Sequence, residues 1–163
     1  MNHSRLLMCV GLAAAIGGPR VGHAQGALVP GPYPEYRADG LFARHWAAEA
    51  GAGVVVPMGI YVRTGFDLAA GAQWQDGTAR GAGRLDVISR FLLDPFREVP
   101  LGLSLGGGLS LAYVDRDRVR PYLVGVLDVE GRAHGGFTPA LEIGLGGGGR
   151  VGVVVRRSAG RYR

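Results

Sequence analysis

Two glycine-rich stretches have the residue types of a phosphate-binding loop. Residues 101–113 read LGLSLGGGLSLAY, and residues 144–149 read GLGGGG, which satisfies the dinucleotide pattern G-x-G-x-x-G. That pattern binds a pyrophosphate only where a helix follows it, with an acidic residue about 20 positions further on. A valine-rich alternating stretch follows residue 149 instead. These glycines therefore predict sheet structure and exclude a dinucleotide site.

Two histidines, His45 and His134, could act in acyl transfer, because a histidine beside a serine can activate its hydroxyl as a nucleophile. His134 lies in a predicted loop over residues 131–136 that holds no serine, and His45 begins a predicted strand. Neither has a partner at a recognisable spacing, so we expect no catalytic residue. The isolated histidines also form no ligand set, so we predict no metal and no cofactor.

The first 24 residues have the pattern of an export signal. Arg5 precedes an apolar run over residues 6–16, which is too short to span a bilayer as a helix. Gly22 and Ala24 supply the small residues that a signal peptidase needs, so we predict cleavage after Ala24. The only cysteine, Cys9, falls within this signal. The exported chain would then have no thiol, and packing and hydrogen bonds alone must stabilise it.

The charge pattern excludes nucleic acid as a partner. All 18 basic residues are arginine, and the formal net charge is +5. A nucleic-acid interface needs basic residues clustered on one surface. The densest run, Arg116, Arg118 and Arg120, alternates with Asp115 and Asp117. Such an alternation is typical of a solvated loop.

Hydrophobic residues recur with period 2, which predicts β-strands. The clearest example is the stretch over residues 60–74, in which one face is apolar and the other carries every charge. Asp76 and Gly77 follow, and Asp-Gly between alternating runs is a strong signal for a two-residue hairpin turn. Such a turn pairs Gln75 with Thr78.

This register places like charges opposite each other, Asp67 with Asp86 and Arg63 with Arg90. The turn at residues 57–59 predicts a third strand on the same sheet by pairing Val56 with Ile60, which puts Glu49 on the charged face. Seven charged residues of these three strands then share one face and form a predicted lumen charge network: Glu49, Arg63, Asp67, Arg80, Arg84, Asp86 and Arg90.

The sequence pattern predicts the number of strands less directly than it predicts their faces. We predict a barrel over residues 41–157 with about eight strands, and six to eight are compatible with the pattern. Three prolines, Pro30, Pro32 and Pro34, argue against a strand before residue 41, so residues 25–40 are interpreted as an extended segment. Residues 158–163 are interpreted as a tail.

A sheet with one apolar face allows two opposite barrels. A soluble barrel turns that face inward, whereas a transmembrane barrel turns it towards lipid and lines its lumen with the charged face. The charged face here is otherwise glycine, alanine and serine, which suits a crowded lumen. Trp46, Trp74 and Tyr113 fall on the apolar face near strand ends, where interfacial aromatics lie. The sequence therefore predicts an all-β, antiparallel, up-and-down transmembrane β-barrel.

The alternating stretches RLDVISRFLLDPF, LGLSLGGGLSLAY and LEIGLGGGGRVGVVVRR, together with the export signal, resemble small outer-membrane β-barrels of the OmpA and OmpX size class. The segments RPYLVGVLDVEG and TPALEIGLGGGGRVGV are similar to barrels of unknown function from GC-rich bacteria. The resemblance implies residence in the outer membrane, with its lipid and the barrel-assembly machinery as partners and a structural or passive role. Two alternatives stay open: a soluble periplasmic barrel that binds an apolar ligand, as lipocalins do, and a lipid-modifying enzyme of the barrel wall.

Overall fold

A computed structural model of the chain describes residues 31–96, 99–114 and 119–157. The predicted export signal and the predicted C-terminal tail lie outside the described residues. The strands are β1 (Tyr33–Phe42), β2 (Trp46–Pro57), β3 (Val62–Gln75), β4 (Thr78–Leu92), β5 (Gly102–Val114), β6 (Val119–Glu130), β7 (Phe137–Leu145) and β8 (Gly149–Arg157).

The eight strands form one closed barrel in which each strand pairs with its neighbours in sequence and β1 closes on β8. Every pairing is antiparallel. The predicted all-β, up-and-down barrel and its count of eight strands are therefore confirmed. The described residues include no helix that is long and apolar enough to cross a membrane.

The stagger of the pairing fixes the width of the barrel. Starting at Arg37, the ladders through β2, β3, β4 and β5 lead to Arg120 on β6. The ladders in the other direction, through β8 and β7, lead to Glu130 on the same strand. The two arrival points differ by ten residues, which is the shear of the barrel. Eight strands with this shear tilt by about 40° and enclose a bore of about 8 Å backbone radius.

The barrel has two distinct ends. We call the end with the turns at residues 43–45, 76–77 and 146–148 the upper end, and the end with Tyr33 and Arg157 the lower end. The β3–β4 hairpin projects above the β4–β5 ladder at the upper end, because β4 pairs with β5 only from Ala82 onward. Strands β7 and β8 are the shortest, at nine residues each.

The β3–β4 hairpin has the predicted register, including the pairs Gln75–Thr78 and Asp67–Asp86. Its two-residue turn places Asp76 at φ 49° and Gly77 at φ 76°. Positive φ at both central residues defines a type I′ turn, whose twist matches that of the flanking strands. The Asp-Gly pair therefore sets both the turn and the register.

The predicted pairing of β2 with β3 is wrong by four residues. Val56 pairs with Thr64 rather than with Ile60. Residues 58–61 form a wider loop, closed by the Met58 amide, which donates to the Val62 carbonyl (N···O 2.8 Å). Tyr61 stacks on Phe91 at a centroid distance of 5.8 Å. Because the displacement is an even number of residues, every side chain keeps its predicted face.

The barrel also begins earlier than predicted, because residues 33–42 form β1 rather than part of an extended segment. Pro34 pairs with Val54 of β2 but lies beyond Glu35–Arg156, the last pair between β1 and β8. A proline at the start of a strand removes no bond from the centre of the ladder. The prolines therefore mark the start of β1 and do not exclude it.

Glycine is required at Gly108, which faces inward on β5. A Cβ there would collide with the backbone of β4, since it would lie 2.8 Å from the Ile88 Cα. Neighbouring Gly107 faces outward, and its Cβ would be 3.4 Å from the nearest atom. We expect Gly108→Ala to lower the free energy of unfolding by about 1–3 kcal/mol, the usual cost of overpacking. Urea unfolding measures this, and an equal loss in Gly107→Ala would contradict it.

Candidate functional site

Fourteen charged side chains of the described residues are buried inside the barrel, each at most 8% exposed. They come from every strand except β5, which contributes the buried Ser104 and Ser110. The eight carboxylates are Glu35, Asp39, Glu49, Asp67, Asp86, Asp128, Glu130 and Glu142. The six guanidinium groups are Arg37, Arg63, Arg84, Arg90, Arg150 and Arg156. We call these fourteen residues the interior charge network.

Glu142 lies at the centre of the network and accepts from three arginines. Its Oε1 accepts from Arg37 Nη2 and Arg150 Nη2, both at 2.7 Å. Its Oε2 accepts from Arg90 Nε at 3.1 Å and Nη2 at 2.5 Å. Arg37 in turn donates to both oxygens of Asp39, at 2.7 Å and 3.1 Å. One carboxylate on β7 thus links strands β1, β4 and β8 across the bore.

Towards the lower end, Arg156 takes the central place. It contacts Glu35, lies 2.6 Å from Asp128 Oδ2 and donates to Glu130 Oε1 at 2.8 Å. Arg63 also contacts Glu130, and its Nη2 lies 3.4 Å from Asp128 Oδ2. This cluster joins β1, β3, β6 and β8.

Towards the upper end, Arg84 contacts three carboxylates. Its Nη2 lies 2.5 Å from Asp39 Oδ2 and 3.5 Å from Glu49 Oε2, and its Nε lies 3.1 Å from Asp86 Oδ2. Arg150 Nη1 donates to the same Asp86 oxygen at 2.7 Å. Because Arg150 also contacts Glu142, the upper cluster is continuous with the centre.

All fourteen groups therefore belong to one connected network. Asp67 joins it through Arg37 (3.3 Å), and Arg90 joins the centre to the lower cluster through Glu35 and Asp128, each at 3.6 Å. Each guanidinium contacts at least two carboxylates, which offsets the cost of removing it from water. The network fills the bore with paired side chains.

Two glycines make room for the most deeply buried arginine. Arg90 is 0% exposed, and its guanidinium passes Gly65 while its stem passes Gly106. A Cβ at either glycine would lie 2.9 Å from an Arg90 atom. The small residues on the charged face therefore have a packing role, because long arginine side chains occupy the space beside them.

The structure places six of the seven sequence-predicted network residues inside the barrel, namely Glu49, Arg63, Asp67, Arg84, Asp86 and Arg90. Arg80 is exposed, although it lies on the same face of β4. It pairs with Gln73 in the part of the β3–β4 hairpin that projects above the β4–β5 ladder. The described part of β5 does not pair with β4 at that height, so the face pattern alone does not predict burial.

Sequence reasoning missed eight members of the network: Glu35, Arg37, Asp39, Asp128, Glu130, Glu142, Arg150 and Arg156. The first three lie on β1, which the prolines concealed. They alternate with Tyr36 and Ala38, which face the other side of the strand, and this spacing of two residues is the signal that could have found them. The others lie on β6, β7 and β8, where the same spacing of two separates Asp128 from Glu130.

The outward face of the strands is almost free of charge. Among the described strand residues, Arg157 at the very end of β8 is the one charged residue that faces outward. The outward aliphatic hydroxyls of Thr64 and Ser89 belong to directly paired residues and hydrogen-bond to each other (O···O 2.9 Å). Large apolar side chains dominate the rest, and Leu68 and Leu123 are 66% and 81% exposed.

Aromatic residues lie at both ends of this apolar face, with Tyr36 and Phe66 exposed between them. At the upper end, Trp46 and Trp74 are directly paired and stack with ring centroids 4.5 Å apart, and Tyr113 is also exposed. At the lower end, Tyr61 contacts Phe91 and Phe96. Val62, the partner of Phe91, lies twelve residues before Trp74 on β3, which corresponds to about 30 Å along the axis. Sequence analysis predicted the upper group and missed the lower one.

The two histidines lie at opposite ends of the barrel. His45 is in the upper turn at residues 43–45, and His134 forms an isolated bridge with Phe137 in the lower loop before β7. They are therefore not brought together. No group of three or more metal-ligating side chains occurs in the described part of the chain.

No protein-family model matches this chain, and no curated protein matches it significantly in sequence. The resemblance to small outer-membrane barrels therefore stays a prediction from the sequence pattern.

Removing one cation from the network should be costly. We expect Arg90→Gln to lower the free energy of unfolding by about 3–5 kcal/mol, because Glu142, Glu35 and Asp128 lose a shared buried partner. Arg80→Gln, on the same face of the same strand but exposed, should change it little. Adding Glu142→Gln to Arg90→Gln should cost less than the sum of the two single changes. Additive losses in urea unfolding would contradict a shared network.

Proposed function

We propose that this chain is a transmembrane β-barrel of the Gram-negative outer membrane, with a structural or passive role. The apolar outward face carries the proposal, because Arg157 at the lower end is the one charged residue on it among the described strand residues. A bilayer is the environment in which an apolar outside and a charged inside are both favourable. Export would depend on the predicted signal at residues 1–24, and insertion on the barrel-assembly machinery.

The dimensions of the apolar face support a bilayer as its surroundings. Water-soluble proteins rarely expose contiguous apolar patches larger than a few hundred Å². Here, exposed leucine, valine and phenylalanine side chains cover strands from β2 to β8. The distance of about 30 Å between the upper and lower aromatic groups matches the hydrocarbon thickness of a typical bilayer. Aromatic belts at both interfaces are a feature of membrane barrels.

The interior charge network argues against one alternative, and the placement of the histidines argues against the other. A lipocalin-like barrel needs an apolar cavity for its ligand, whereas in the described part of the chain fourteen charged side chains are buried beside a small apolar cluster of Ile88, Val124 and Val126. A lipid-modifying enzyme needs a histidine next to a nucleophile. His45 and His134 lie at opposite ends, and neither is paired with a serine in the described contacts.

The filled bore favours a structural role over a pore. Eight-stranded barrels enclose an interior just wide enough for side chains to occupy it. Connected salt bridges extend along most of the axis, from Arg84 near the upper end to Arg156 near the lower end. A permeating ion would have to compete with these buried pairs.

A charge on the outward face tests the proposed surroundings. Leu68 lies in the middle of β3, six residues from both Val62 and Trp74, whereas Phe137 begins β7 at the lower end. In lipid vesicles we expect Leu68→Arg to cost about 2–4 kcal/mol and Phe137→Arg about 0–1 kcal/mol. The readouts are flotation with vesicles and the folded fraction, measured by heat-modifiable migration on a detergent gel.

A water-soluble barrel would behave differently. The 66% exposed Leu68 side chain would then tolerate arginine within about 0.5 kcal/mol. Wild-type protein in the salt-washed soluble fraction without detergent, together with a tolerated Leu68→Arg, would overturn the proposal.

Planar-bilayer recordings test the passive role. We expect the wild-type barrel to give little or no stable current, because paired side chains fill its bore. A sixteen-stranded porin recorded under the same conditions is the positive control. Large and stable single-channel currents would show that the protein is a pore.

A further inference from the structure

An open hollow lies at the upper end of the barrel, between the turn at residues 43–45 and the β3–β4 turn. Its volume is about 690 Å³, within the usual range for small-ligand sites. The stacked indoles of Trp46 and Trp74 form one wall. Its polar lining includes a cation, Arg44, and an anion, Asp76, on its two different turns.

A stripe of small outward-facing residues, which we call the furrow, continues from this hollow down the outside of the barrel. Below the tryptophan pair, alanine faces outward at two successive cross-strand pairs, Ala48–Ala72 and Ala50–Ala70. A bulky side chain returns on one strand at the next outward pair, Ala52–Leu68, and on both strands at Val54–Phe66. From Trp46 to Ala52 the furrow is about 15 Å long along the axis, which matches the half-thickness of a bilayer, about 15 Å.

We propose that the hollow and furrow bind one phospholipid whose headgroup has a phosphate and a primary ammonium. Arg44 would pair with the phosphate and Asp76 with the ammonium, while one acyl chain fills the furrow over Ala48 and Ala50. This inference rests on the proposed membrane location and adds a lipid class to it.

The opposite charges of Arg44 and Asp76 in the lining favour one class of lipid headgroup over others. An anionic lipid without an amine would satisfy Arg44 and leave Asp76 facing negative charge. A quaternary choline has no N–H to donate to the Asp76 carboxylate, whereas a primary ammonium has three. The apolar furrow directly below favours a lipid over a soluble phosphate compound.

The tryptophans provide a direct readout. The chain contains two tryptophans, and both line the hollow, so intrinsic fluorescence reports on this site alone. Full-length barrel is reconstituted in phosphatidylcholine vesicles with a small, equal fraction of brominated phosphatidylethanolamine, phosphatidylglycerol or phosphatidylcholine. We expect the brominated phosphatidylethanolamine to quench several-fold more strongly than the other two.

Variants identify the two headgroup contacts. Arg44→Gln and Asp76→Asn should each reduce the quenching by brominated phosphatidylethanolamine to the level of phosphatidylcholine. Asp76→Asn keeps the turn, because asparagine tolerates the φ of 49° at this position. Arg132→Gln, in the lower loop at the opposite end, is the matched control and should leave the quenching unchanged.

The possible results separate this inference from the membrane proposal. Equal quenching by all three lipids, stronger quenching by phosphatidylglycerol, or a preference that survives both variants would overturn the lipid site and leave membrane insertion intact. The lipid site would also be overturned if the barrel floats with vesicles, its tryptophans are not quenched and Trp46 cross-links to a second copy of the chain. A barrel that does not float would overturn both proposals.

Discussion

The narrow bore is the constraint on which the rest of this structure depends. Eight strands closed with a shear of ten residues leave a backbone radius of about 8 Å, so side chains from opposite walls must meet. Charged groups inside such a bore cannot keep a hydration shell, and they have to pair. Glu142, which receives three arginines from three strands, shows how the pairing crosses the barrel rather than following one ladder.

The like-charge pairs of the β3–β4 hairpin depend on partners from other strands. Like charges are directly opposite on β3 and β4, as in Asp67–Asp86 and Arg63–Arg90, an arrangement that would be unfavourable in an isolated hairpin. The barrel resolves it because each member finds opposite charge on other strands, Arg63 on β6 and Asp86 on β8. The hairpin's sequence is therefore consistent only with the closed structure.

The sequence was sufficient to predict the faces of β2, β3 and β4 and insufficient to predict pairing where no tight turn intervenes. Asp76-Gly77 allows one turn geometry, and the register of β3 with β4 follows from it. The loop at residues 58–61 has no such signature, and its closure depends on Tyr61 packing against Phe91, which is a tertiary contact. The charged face was recognisable on β2, β3 and β4. Arg80 lies on this face but is exposed, because burial depends on how far the surrounding strands extend, which is a property of the whole barrel. The partners of each charge across the bore depend on the shear, which appears only when the last strand closes on the first.

The hydrogen bond between Thr64 and Ser89 makes two positions a single unit for substitution. Each hydroxyl is tolerable on an apolar surface because the other one satisfies it. Changing either residue alone to an aliphatic one leaves the remaining hydroxyl unpartnered, whereas changing both together removes the need for the bond. Related sequences should therefore vary at these two positions in concert, keeping both hydroxyls or neither, and such paired variation would record the β3–β4 register in sequence alone.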